Sequence, residues 1–242
     1  MNGQMTDVEF IESITLADRA LTMTEFRLYG ETYKLAPLDE EELNIFKAQF
    51  ITLLAAPGSS ERKIMVDRVS TYILGLRAIK QALNSPKFRG LNPSDTELGF
   101  GLIRPQFTRA NSAYRTTWSQ ALSTTWADWL FETAGNPFSV GKDFGLIITH
   151  LKSLVTPEPY MAEARFEVGR SVLIPVDTRN LRMADTENNV AVAAIPTVLA
   201  QPKTSLYARA RADTTGTDEV VLGGLVVGLG RVLKEETPTW TA

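Results

Sequence analysis

Cysteine is absent from the chain and histidine occurs once, at His150. The first absence excludes disulfides, iron–sulfur clusters and thiolate zinc sites. It suits a reducing cytosol, and equally a protein that must not mispair in oxidising surroundings. The second leaves one imidazole for any proton shuttle or metal site that depends on that ring. Long hydrophobic runs are also missing. The longest, Val220 to Leu229, is too short to span a bilayer and holds three glycines. The first ten residues, MNGQMTDVEF, have neither a basic n-region nor an apolar core, so no signal peptide is expected. No charge of one sign dominates: 25 basic residues stand against 28 acidic ones, a net of -3. A globally basic nucleic-acid binder is therefore disfavoured, while a local basic patch is not.

What is present is an ordinary globular composition, 44% hydrophobic and 22% charged in 242 residues, enough for one large domain or two modest ones. The texture changes along the chain. Residues 1–22 show no sustained period and read as an N-terminal arm. Residues 23–140 read as a mostly helical region with one β-hairpin, Phe26 to Tyr29 and Thr32 to Leu35 around a Gly30-Glu31 loop. Asp39 with Glu42 makes a capping box, and the acids from Asp39 to Glu42 read as a solvated helix start. Leu43, Phe46, Phe50 and Leu54 continue that helix to Pro57-Gly58. Met65, Val69, Tyr72, Leu76, Ile79 and Leu83 form one apolar stripe, which predicts a second helix from a Ser59 or Ser60 cap to Asn84. Gly75 within it suggests close packing. Residues 86–105, rich in proline and glycine, read as loop. Trp118, Leu122, Trp126 and Trp129 fall at helical spacing and predict a third helix over 117–131. Its tryptophans are candidates for a core or a subunit interface.

Residues 141–242 read as strands. Phe144 to Leu151 is an apolar β-prone run, and Glu163 to Val168 with Ser171 to Val176 form a hairpin around Gly169-Arg170. Val190 to Leu199 contains Pro196, which argues for an edge or a bend. Ser205 to Ala212 alternates strictly, with Leu206, Ala208 and Ala210 on one face. Asp213 to Asp218 reads as a turn and Glu219 to Leu229 as a closing strand. The fold class expected is α+β, a helical N-terminal half packed with an antiparallel, jelly-roll-like β-sandwich.

None of the catalytic patterns closes. No Gly-x-Ser-x-Gly elbow accompanies His150, which reads as a strand-edge histidine facing solvent or a neighbour. Ser60 and Lys63 match Ser-x-x-Lys, but Lys203-Thr204 is followed by Ser205 instead of glycine, and Ser60 doubles as a helix cap. The glycines from Gly223 to Gly230 lack the Lys-Ser/Thr of a phosphate loop and read as bulges or close approaches. Residues 185–189 offer oxygen ligands without the glycine and distal glutamate of an EF-hand, so a polar turn is favoured. No catalytic, cofactor-binding or metal-ligating residue is assigned, and no cofactor is expected.

Charge carries more. Between residues 62 and 89 stand Arg62, Lys63, Arg68, Arg77, Lys80, Lys87 and Arg89 against one acid, Asp67, and Arg104, Arg109 and Arg115 continue the trend. Residues 1–46 hold ten acids and three bases. The basic stretch either faces nucleic acid or is a basic helix docking an acidic arm, its own or a neighbouring subunit's. The second reading is preferred because the complement lies in the same chain.

Phe166 to Arg170 leading into Leu173 to Val176, and Thr204 to Ala212 followed by Glu219 to Leu229, resemble β-sandwich segments of virion structural proteins of tailed phages and related viruses. The acidic arm, hairpin and long helix would also suit an HK97-like capsid subunit, for which this chain is short. The resemblance implies a self-assembling capsid or capsid-associated subunit, located in a virion assembled in the host cytoplasm. Its partners would be copies of itself and other virion proteins, with non-specific nucleic-acid contact and no membrane span. Two other expectations stand beside it: a nucleic-acid-binding or packaging-associated module using residues 62–89, and a carboxylate-based enzyme using Asp128, Glu132 or Asp143.

Overall fold

The computed structural model describes residues 18–108, 117–129, 132–133, 136–153, 161–173, 175–179 and 192–234. The expected arm up to residue 17, Arg109, Arg115 and the polar turn 185–189 lie outside the described residues, and of Glu132 only the backbone is described. α1 (Asp18–Thr22) occupies the end of what the sequence suggested as an arm. β1 (Glu25–Leu28) and β2 (Glu31–Lys34) make the expected hairpin. Its loop is Tyr29-Gly30, one position earlier than expected. Both residues have positive φ, 55° and 79°, as in the primed turns whose twist matches a hairpin.

α2 (Glu40–Leu53) starts on the expected capping box between Asp39 and Glu42. The second helix is two helices, α3 (Ser59–Asp67) and α4 (Val69–Ala82), broken at Arg68, whose φ of -106° and ψ of 13° leave the helical well. A one-residue break keeps the apolar stripe in phase, so periodicity could not reveal it. α3 is capped by Gly58, not by Ser59 or Ser60.

From residue 88 onward the chain is mainly strands, so the helical region ends near Ala82 and not at 140. β3 (Phe88–Gly90) and β4 (Leu98–Leu102) lie in the stretch expected to be loop, and they pair in parallel. The third helix is absent. Its residues instead form β5 (Ser119–Leu122) and β6 (Ala127–Asp128), followed by β7 (Glu132–Thr133) and β8 (Asn136–Ser139). The 4-4-3 spacing of Trp118, Leu122, Trp126 and Trp129 imitates a helix, but the turn-forming Ser123, Thr124 and Thr125 divide it into two short strands.

The later strands follow the expected order: β9 (Phe144–Ser153), β10 (Met161–Val168), β11 (Ser171–Val172), β12 (Val176–Asp177), β13 (Val192–Ala200), β14 (Ser205–Ala212) and β15 (Gly216–Leu229), closed by helix α5 (Gly230–Lys234). One sheet has the order β13-β9-β15-β4-β3, with β5 also on β15. The other has the order β11-β10-β14-β8-β7, with β12 on β10 and β6 on β14. Every pair except β3 with β4 is antiparallel. The molecule is α+β.

Two cores organise these elements. Phe166, Leu206, Ala208 and Ala210 of one sheet meet Leu146, Ile148, Leu222 and Val226 of the other. On the opposite face of that second sheet, Ile147, Leu199, Leu225 and Val227 meet Phe46, Phe50, Tyr72, Leu76 and Ile79 of the helices. The six-stranded sheet is thus covered on both faces, which is why β9 reads as an unbroken apolar run. α4 comes close enough that a Cβ on Gly75 would overlap the Ile147 side chain, the close packing that the glycine suggested.

β9 carries one irregularity that matters for the site. Gly223 pairs with His150 and Gly224 with Ile148, so Thr149 has no partner on β15. On the other flank Ala194 pairs with His150 and Val198 with Ile148, which leaves 195–197, Pro196 included, bulged outward. Alternation along β9 therefore breaks. Thr149 and His150 both turn to the helical face, while Ile148 and Leu151 face the other sheet.

Candidate functional site

His150 is fully buried in mid-strand, not at a solvent-facing edge. The bulge aims it at α3, where its Nε2 lies 3.2 Å from Glu61 Oε1. Lys152 donates to the other Glu61 oxygen at 3.0 Å. Behind the ring, His150 Nδ1 lies 3.0 Å from Thr149 Oγ1, which is 2.6 Å from the Tyr72 hydroxyl. Thr149 Oγ1 thus bridges the Tyr72 hydroxyl and the imidazole, and the imidazole bridges Thr149 to Glu61. Burial pushes the Tyr72 phenol up in pKa, which keeps it a donor. Gly223 makes the cluster possible, since a Cβ there would overlap the imidazole.

Burial pushes the Glu61 carboxyl up, but hydrogen bonds and charge from His150 and Lys152 outweigh it and hold the group below its ordinary value of 4.5. A lowered carboxyl pKa stabilises the fold above the unfolded value, and that stabilisation is lost as pH falls through the folded one. Glu61→Gln should therefore cost about 1–2 kcal/mol at pH 7, and urea unfolding should show the gap to the native chain narrowing below about pH 4.5. The cluster borders a cavity of about 150 Å³ lined in part by Glu61, Lys152 and Gly223. It ties α3 to β9; its one carboxylate is occupied on both oxygens.

The basic residues 62–89 are not one surface. Arg77 is buried and caps the carbonyls of Ala20, Met23 and Ala36. Lys80 is buried against Glu42 at 2.8 Å. Lys87 and Arg89 both pair with Glu41, and Arg89 also with Glu97. Arg62 donates to the carbonyls of Leu54 and Pro57. Lys63 is exposed, and Arg68 lines a separate cavity. Among the described residues, the acidic complement in residues 1–46 that engages this stretch is the start of α2, within the same chain and not the arm. The acids there are consequently not all solvated, as the sequence suggested: Glu42 is 2% exposed.

The three tryptophans expected on one helix face instead flank the short strands β5 and β6. Trp118 and Trp129 are buried, and Trp129 meets Phe166 edge-on at 5.9 Å. Trp126 is different. It lies half-buried on the outer face of the seven-stranded sheet, between two guanidiniums: Arg165 at 5.4 Å and Arg211 at 5.6 Å from the ring centre. The period-2 pattern that sends Leu206, Ala208 and Ala210 inward sends Tyr207, Arg209 and Arg211 to this face. On β10 the same alternation presents Glu163, Arg165 and Glu167. Arg211 pairs with Glu163 at 2.6 Å and Arg165 with Glu167 at 3.1 Å. Tyr207 donates to Asp128, and that hydrogen bond, with burial, raises the phenol's pKa.

Of the carboxylates named for an enzyme, Asp128 belongs to this lattice, and Asp143 pairs with Arg231 at 2.9 Å. The sequence reading singled out Trp126 but missed its arginine and glutamate neighbours, although the alternation of 205–212 already placed the arginines on one face. Among the described residues, no three His, Asp or Glu side chains lie close enough to hold a metal ion, and no helix is long and apolar enough to cross a membrane. Compared with models of protein families, with curated proteins and with solved structures, the chain finds no match.

Proposed function

We propose that this chain is a structural, self-assembling virion protein, a capsid or capsid-associated subunit acting through subunit–subunit contacts on a jelly-roll-like β-sandwich. The observation that carries the reading is the outer face of β10 and β14. It holds one tryptophan, one tyrosine and three arginines among three acids, all half-buried. Tryptophan, tyrosine and arginine are the residues enriched where protein interfaces concentrate their binding energy. The salt bridges hold these side chains in place, so a partner need not order them first. With three arginines (165, 209 and 211) against Glu163, Glu167 and Asp128, the face is balanced in charge and can meet another copy of itself without net repulsion.

Light scattering after size exclusion, with electron microscopy of the same fractions, tests the proposal. Concentrated protein should form oligomers or particles, and Trp126→Ala should weaken assembly by ten-fold or more without lowering the melting temperature much. A strict monomer at all salt and protein concentrations, alone and with candidate virion partners, would overturn the reading.

A further inference from the structure

A second cavity, of about 330 Å³, lies beneath the β1–β2 hairpin, between that hairpin, α4 and the outward bulge of β13. The hairpin reaches across the sheet edge, and its tip is fastened where Ser171 of β11 donates to the Tyr29 carbonyl at 3.1 Å. The size falls at the small end of the range of about 300–1,000 Å³ typical of small-molecule sites. The walls are mainly apolar: Phe26, Leu74, Ile147 and Leu199 line it.

Thr71 and Thr197 also line it, and two further polar groups, those of Tyr29 and Arg68, lack partners among the described residues. The Tyr29 hydroxyl oxygen is buried and, among the described residues, has no hydrogen-bond partner. The Arg68 guanidinium lines the same cavity and acts electrostatically on that phenol. Among the described residues it makes no hydrogen bond or ion pair. A buried hydroxyl without a partner costs the fold free energy, and the neighbouring cation supplies the complementary half of an anion site. Burial also pushes the Tyr29 phenol up, so it remains a hydrogen-bond donor at neutral pH. An ammonium or a neutral polar head would leave Arg68 unanswered, whereas a carboxylate can accept from both groups at once.

We propose that this cavity binds a small amphiphilic carboxylate, its head held by Arg68 and the Tyr29 hydroxyl and its aliphatic tail lying on Leu74, Ile147 and Leu199. Isothermal titration of the full chain with sodium octanoate, set against 1-octanol, tests it. Octanoate should bind saturably and about tenfold or more tighter than octanol. Arg68→Gln should abolish that preference. Tyr29→Phe should weaken octanoate about tenfold while leaving the melting temperature unchanged or raised, because the hydroxyl has no partner in the empty cavity. Equal binding of octanoate and octanol, no saturable binding, or variants that bind as the native chain does would overturn the proposal. So would a Tyr29→Phe variant that melts lower, since the hydroxyl would then serve the fold.

Discussion

Replacing Glu42 by alanine should cost roughly 3–5 kcal/mol of stability, read from urea unfolding at neutral pH. The carboxylate accepts from Asp39 N–H at 3.1 Å, from Phe88 N–H at 2.7 Å and from Lys80 Nζ through both oxygens at 2.8 and 2.9 Å. One capping-box residue thereby joins the start of α2, the last turn of α4 and the first residue of β3. Lys80 is 6% exposed and also donates to the Pro37 carbonyl at 2.9 Å. Without Glu42 its ammonium would remain buried with one neutral acceptor, and removing one member of such a pair costs far more than the pair contributes over an apolar replacement. Glu42→Gln should cost less than alanine, because an amide oxygen still accepts from the backbone. The double variant Glu42→Gln with Lys80→Met should recover part of the loss. A cost below about 1 kcal/mol for alanine would mean that water reaches the pair.

Gly224→Ala should be as damaging, at about 4 kcal/mol, or should prevent folding outright. Gly224 sits at φ +144°, a conformation that side-chain-bearing residues rarely adopt, and a Cβ there would overlap the Ile147 carbonyl oxygen. The obstacle is backbone in the middle of the six-stranded sheet, so no rotamer change relieves it. Gly101 of neighbouring β4 supplies the contrast: a Cβ there meets open space. Gly101→Ala should be neutral or mildly stabilising, because it lowers the entropy of the unfolded chain. Thermal melts of the two variants side by side would check both. Equal melting temperatures would show that the bulge opposite Gly224 relaxes more readily than its hydrogen bonds suggest.

Elements set by local rules were legible in the sequence. The Asp39–Glu42 capping box, the Gly169-Arg170 loop and the alternation from Ser205 to Ala212 each need only a few neighbouring residues, and each forms as read. Pro196 likewise signalled the bend in edge strand β13. What failed depended on partners far along the chain. The tryptophan spacing over 118–129 matched a helix because periodicity ignores which strand a segment will pair with, and β5 exists only because β15 offers it a partner. The basic stretch looked like a surface because sequence counts charges without their burial; Arg77 and Lys80 are spent on carbonyls and a carboxylate inside the fold. The burial of His150 had a signal that went unused, since an apolar run as continuous as Phe144 to Leu151 implies a strand covered on both faces.

The bend at Pro196 has a consequence for concentrated solutions of this protein. Among the described residues β13 is the only long strand at a sheet edge, and its middle is bowed and lacks one N–H; no other edge strand exceeds four residues. Open, straight edges are where sheets of separate molecules zip together into fibres. The described residues offer no such ribbon for elongation, so even a crowded stock should resist turning into amyloid.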